Sequence, residues 1–156
     1  MAAQQCQPLT DKKVIVMETK TVPQGISALL NFSADEEEEV LIETMQEAIK
    51  SVHTAMVTYA ARDSDFDGHA IHAGEYLALL DGALVGNYTN LKTLFKELTW
   101  NFDEFDPEFI TVYYGEDVQE SDAVELSNSI VANFPDAEVS VVRGGQPVYY
   151  YMISVE

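Results

Sequence analysis

The sequence predicts an α/β fold in which helices pack on a mixed sheet. Runs of β-branched and aromatic residues alternate along the chain with apolar stripes at helical spacing, the pattern of a layered α/β unit. An Asp-Gly pair between two apolar runs marks an antiparallel hairpin, so the sheet is not all parallel. The chain closes on Val148-Tyr149-Tyr150-Tyr151-Met152-Ile153-Ser154-Val155, a run of strand-forming residues that needs cover on its apolar face.

Taken in order, residues 14–18 read as a buried strand, with Lys12 and Lys13 at its entrance. A polar turn over 19–22 leads to Pro23, whose missing N–H is harmless in a first helical turn, and to a helix over 24–31. Ser33-Ala34-Asp35-Glu36 has the form of a capping box, predicting a second helix over 34–51. Glu37, Glu38 and Glu39 compensate its dipole, and Leu41, Met45, Ala48, Ile49 and Val52 form its apolar face. From residue 55 the period changes. A strand over 55–61, a turn over 63–68 and a short extended piece over 69–71 precede the hairpin of 75–80 and 83–86. Leu91, Leu94, Phe95 and Leu98 predict a helix over 89–100; 109–114 is a strand; Ala123, Leu126, Ile130, Val131 and Phe134 predict a helix over 120–134. Strands over 139–142 and 148–155 complete the set. The expected division is a first segment, 1–52, and an α/β unit, 53–156. Ala2-Ala3-Gln4-Gln5-Cys6 reads as the middle of a helix without a cap, so the chain is expected to be a C-terminal piece of a larger protein.

Charge narrows the partners. Twenty-seven acids against eight Lys and Arg give a net charge of −19, which disfavours nucleic acid and anionic membrane, both of which need cationic patches. An acidic surface draws a basic partner or simply keeps the chain soluble. Apolar runs fall short of the roughly 20 residues that span a bilayer. The lone Cys6 fits a reducing, cytoplasmic setting. Homo-oligomerisation is left open.

Few constellations carry chemistry. Asp63, Asp65, Asp67 and Gly68 imitate the start of a calcium loop, but Gly74 stands where the bidentate glutamate belongs. His69 and His72 point to opposite faces of an extended segment and read as surface residues. Phosphate loops, dinucleotide fingerprints and nucleophile elbows are missing from the sequence, so no cofactor and no catalytic residue are expected in this chain. Three polar places remain as partner or ligand sites. Lys20, Thr21, Gln24 and Gly25 stand where a strand hands over to a helix, the usual place for ligands in α/β folds. Arg62 and Asp63 follow a strand; a simple ion pair is the plainer reading. Gly144, Gly145 and Gln146 beside Tyr149 form either a contact surface or a tight connection.

Four stretches carry a family resemblance. Val14-Ile15-Val16-Met17-Glu18-Thr19-Lys20-Thr21-Val22-Pro23-Gln24-Gly25-Ile26-Ser27-Ala28-Leu29, Val57-Thr58-Tyr59-Ala60-Ala61-Arg62-Asp63, Ile110-Thr111-Val112-Tyr113-Tyr114-Gly115-Glu116-Asp117 and the tail from Gly144 resemble, in order, the C-terminal region of the dihydroxyacetone-kinase-like family typified by the ATP-binding subunit of bacterial fatty-acid kinase. The part from residue 53 resembles the second lobe of DegV-like fatty-acid-binding proteins, and residues 1–52 the end of a preceding α/β lobe. The resemblance implies a non-catalytic domain that docks a DegV-like carrier while an upstream domain, holding ATP and magnesium, phosphorylates the acyl carboxylate. Two other functions stay open: a sensor binding a small lipid or anion at Lys20, Thr21 and Gln24, and a metal-dependent phosphatase using Asp63, Asp65 and Asp67.

Overall fold

The computed structural model describes residues 3–66 and 68–156, and the chain divides into two compact units between Lys50 and Ser51. Ala2 of the expected mid-helix stretch and Asp67 of the acidic loop lie outside the described residues.

The first unit is helical. Ala3–Leu9 is a 3₁₀ helix with Pro8 inside it, rather than the middle of an α-helix. The Gln7 side chain then ties down the following turn, donating to the Lys12 carbonyl and accepting from the Val14 N–H. Residues 14–18 do not form a strand: they are in no ladder. Their composition suits a strand, but a strand exists only with a neighbour to take its N–H and C=O groups, and none lies beside them among the described residues. Helix α1 (Val22–Leu30) follows, capped by Thr21. The expected capping box at 33–36 is also corrected. That stretch is turn, and α2 (Glu38–Ser51) starts later, with Glu38 and Glu39 in its first turn and Lys50 in its last, both favourable to the dipole. Lys13 pairs with Glu38. Leu41, Met45, Ala48 and Ile49 are covered positions of α2, as their spacing predicts, and Ile42 and Thr44 are half-covered beside them.

The second unit is a six-stranded mixed sheet with helices. Its elements are β1 (His53–Tyr59), β2 (Ser64–Phe66), β3 (His69–Ile71), β4 (Tyr76–Leu80), β5 (Ala83–Tyr88), α3 (Leu91–Trp100), β6 (Phe109–Tyr114), α4 (Glu120–Asn133), β7 (Glu138–Arg143) and β8 (Tyr151–Val155). The strand order is β5-β4-β1-β8-β6-β7, and β2 pairs separately with β3, so the expected turn at 63–68 contains a short strand. Asp81 (φ 50°) and Gly82 (φ 85°) supply the two positive φ angles that a type I′ turn between β4 and β5 demands.

The last strand lies at the centre. β8 is antiparallel to both β1 and β6, while β7 runs parallel to β6 after the α4 crossover. Period-2 alternation puts Ala55 and Val57 of β1, Ile110 and Val112 of β6, and Ile153 and Val155 of β8 on one fully buried face. Leu94 and Leu98 of α3, Phe102, and Ala123 and Ile130 of α4 join the same core at 0% exposure. Val131, expected in the α4 stripe, is 44% exposed; Leu126, Ser127 and Ile130 make that face instead. The expected strand at 148–155 begins only at Tyr151, because Val148 has φ 73°, far outside the strand region.

Candidate functional site

β1 and β6 both oppose β8, so they run in one direction, and β7 runs with them. Their C-terminal ends therefore share one edge of the sheet. Arg62 and Asp63 follow β1 there; Gly115, Glu116 and Asp117 follow β6; and the loop of residues 144–150 leads from β7 into β8. Topology thus gathers most of the sequence-predicted residues of the second unit along a single rim.

The loop is densely tethered. The N–H groups of Gly144 and Gly145 both donate to the Tyr114 carbonyl at 3.0 Å, and the Gln146 side-chain amide donates to the Tyr113 carbonyl at 3.0 Å. Glu116 N–H donates to the Gln146 carbonyl at 3.2 Å and Gly115 N–H to that of Tyr150 at 2.9 Å. From the other side, the Thr58 hydroxyl donates to the Val148 carbonyl at 2.8 Å. Glycine is needed at 115, where a Cβ would stand 2.3 Å from the Tyr149 carbonyl oxygen and 2.7 Å from that of Gln146. Gly145 (φ 63°) meets a conformational demand instead. Gly144, Gly145 and Gln146 are thus tied inward to β6.

Tyr150 bridges the aromatic side chains of this rim, its ring centroid 5.7 Å from both Tyr59 and Tyr76. Burial, then the neighbouring phenols and Asp117, raise its pKa. Tyr151, 2% exposed, is pushed up to about 12 by burial first and by Asp122 and Glu125 after it.

Asp63 does not pair with Arg62. It accepts the Ala73 N–H at 2.8 Å and stands 4.0 Å from His72, while Arg62 makes no ion pair among the described residues. Glu75 accepts the His72 N–H (2.8 Å) and the Asn87 amide (2.6 Å), and these bonds lower its pKa. Gly68 N–H donates to Asp65 at 2.9 Å. No group of three or more His, Cys, Asp or Glu that could hold a metal ion occurs among the described residues.

The Lys20 loop belongs to the first unit. Thr21 accepts from the Gln24 N–H at 3.4 Å as the α1 cap, and the Gln24 side chain accepts from the Lys20 N–H at 2.8 Å. Thr21 and Gln24 thus fold the turn, leaving Lys20 exposed beside an open pocket of about 490 Å³ lined by Thr19, Val22, Gly25, Ile26 and Leu29 among others. Lys20 makes no ion pair with Glu18.

Two features escaped the sequence reading. His53 Nδ1 lies 2.6 Å from Asp81 Oδ2 and its ring stacks on Phe105 at 3.6 Å, at the opposite edge of the sheet. Asp81 was legible as a turn residue, but its partner 28 positions away was not. The second is Val148, read as strand and found in a strained turn. The Pro before it, with two glycines upstream, was the available signal.

Among the described residues no helix is long and apolar enough to cross a membrane. Residues 1–156 match the FakA-like C-terminal family of fatty acid kinase. Protein YloV of Bacillus subtilis (strain 168) is 36% identical over 156 residues, covering 100% of this chain and 28% of that protein. An uncharacterized protein of Staphylococcus aureus (strain USA300) is 34% identical with the same coverage, so the chain spans 28% of the length of these curated relatives. Among solved structures, a fatty acid binding DegV family protein from Streptococcus agalactiae superposes with TM-score 0.66 at 14% identity, over 98% of this chain and 64% of that one. The Streptococcus pneumoniae fatty acid kinase B3 protein, loaded with linoleic acid, gives 0.54 at 12% identity over 78% and 50%. The fold is DegV-like, and the chain belongs to the FakA-like C-terminal family of fatty acid kinase.

Proposed function

We propose that this chain is the non-catalytic, carrier-docking part of a fatty-acid-kinase-like protein. It holds a DegV-like fatty-acid carrier so that an upstream domain, binding ATP and magnesium, phosphorylates the acyl carboxylate. The carrying observation is the match of the whole chain to the kinase's C-terminal family. The rim at the ends of β1, β6 and β7 offers the polar loops and aromatic surface that docking needs. In this reading residues 1–52 end a preceding α/β lobe and 53–156 form the docking lobe, in the cytoplasm. Lys20 and Arg62, exposed and without ion pairs among the described residues, are proposed contacts, each within its own unit.

Calorimetric titration with a fatty-acid-loaded DegV-family protein tests this. Binding is expected, with Arg62→Ala at least about tenfold weaker (1.4 kcal/mol) and its melting temperature unchanged. No binding by the wild-type chain overturns the reading. The pocket beside Lys20 favours a second reading, a small carboxylate or phosphate ligand held there. Mass spectrometry of the purified chain decides it, since such a ligand should copurify and be lost in Lys20→Ala.

A further inference from the structure

We propose that the Pro147–Val148–Tyr149 turn is the anchor of the docking surface, with Val148 entering an apolar pocket on the carrier and Glu116 and Asp117 facing cations around that pocket. This rests on the docking reading above and adds a residue and a partner chemistry to it.

The turn is an unusual object. Tyr149 N–H donates to the Pro147 carbonyl at 2.8 Å, and Val148 between them has φ 73°. That is the positive-φ γ-turn, the rare and strained form. A β-branched residue is the worst choice for it, since its side chain crowds the backbone where glycine would not. Three positions earlier the chain does place glycine at a positive φ, at Gly145. At 148 it places valine, and the side chain lies outside the core: Val148 is 61% exposed. A side chain that costs stability and leaves most of its surface in water is placed for contact with something else.

Strain of this kind persists only where the surroundings over-determine it, and here they do. The Val148 carbonyl is held by Thr58, the carbonyls of Gln146 and Tyr150 by the N–H groups of Glu116 and Gly115, and Tyr150 N–H by the Val57 carbonyl at 2.9 Å. The valine is therefore presented rigidly, and little conformational freedom is lost when it is buried by a partner. Tyr59, 44% exposed, and the half-buried Tyr149 and Tyr150 extend apolar surface beside the turn, in the manner of an interface centre. Glu116 is bonded to the loop itself, and Asp117 acts on Tyr150. Counting Arg143 at the loop's start and Arg62 and Asp63 after β1, the rim still carries one more acid than base, and the whole chain stands at −19. A cation-rimmed apolar pocket complements this, whereas a second copy of the same acidic chain does not.

The test is calorimetry of the full chain against a fatty-acid-loaded DegV-family protein. Val148→Gly removes the side chain and suits the backbone, so its melting temperature should be unchanged or higher while affinity falls at least about tenfold. Val148→Ala, which keeps a Cβ at that position, should lose several-fold. The double variant Glu116→Gln, Asp117→Asn should weaken the salt dependence of binding. Wild-type failure to bind overturns the docking reading, and this proposal with it. Wild-type binding that Val148→Gly and Val148→Ala both match overturns the anchor alone.

Discussion

Residues 14–18, Val-Ile-Val-Met-Glu, and β8, Tyr151–Val155, are nearly equivalent as sequence: short, apolar and β-branched. One becomes the centre of a six-stranded sheet, hydrogen-bonded to β1 on one side and β6 on the other. The other makes no ladder at all. Composition confers competence to be a strand, since β-branched side chains suit a pleated, half-buried surface. Pairing confers the strand itself. For β8 the competence is matched by neighbours that present Ala55, Val57, Ile110 and Val112 at the right register. The first unit is instead tied by a helix cap, a glutamine tether and the exposed Lys13–Glu38 pair, with no ladder among its described residues.

The comparison can be broken most directly with two isoleucines. Ile153 is fully buried in β8, while Ile15 is 42% exposed. Ile153→Ala should cost about 2–5 kcal/mol in chemical denaturation, through lost burial and the cavity left behind. Ile15→Ala should stay within about 0.5 kcal/mol. Equal losses would mean that 14–18 is packed as a strand after all.

The same contrast explains what the sequence made legible. Periodicity located every strand of the six-stranded sheet and every α-helix, because side-chain spacing reports directly on burial; for β6 even the ends agree, Phe109–Tyr114. It missed features set by distant residues. The start of α2 was misplaced because Ser33 and Glu36 had the right identities and the wrong backbone. Val148 was absorbed into a strand because its propensity is that of a strand, whereas its conformation is imposed by Thr58, 90 positions earlier. At the rim, sequence order alone places Gly144, Gly145 and Tyr149 in one connection. That Arg62 and Glu116 share their rim followed only from the antiparallel pairing of β8 with β1 and β6.

A second prediction sharpens the meaning of the paired strand through pH. Tyr151 opens β8, and burial raises its phenol pKa from 10.0 to about 12. The unfolded chain begins to ionise this group near pH 10, while the folded chain resists. Its contribution is therefore intact below pH 10 and is lost as pH rises through about 12, by roughly 3 kcal/mol in all. Stability measured by denaturation between pH 9 and pH 12 should fall steeply in the wild type and distinctly less in Tyr151→Phe. Identical alkaline limbs would show that the β8 entrance is open to water.

The smallest effect falls in the first unit, where local interactions stand in for ladders. Thr21 caps α1 through the Gln24 N–H, and Gln24 returns a bond to the Lys20 N–H, so one early donor of this nine-residue helix and the N–H just before its cap depend on the exchange. A helix this short is marginal by its own propensity, which makes the cap a large share of what holds it. Thr21→Ala should destabilise α1 by about 1 kcal/mol, and Thr21→Ser should restore most of it because the hydroxyl acceptor returns. Hydrogen exchange of the amides from Ser27 to Leu30 reads this directly: about fivefold faster in the alanine variant, near wild type in the serine variant. If alanine leaves those amides as protected as before, α1 is held by packing of Ser27 and Ala28, both nearly buried, and the contrast between a locally held unit and a ladder-held one fails at its first unit.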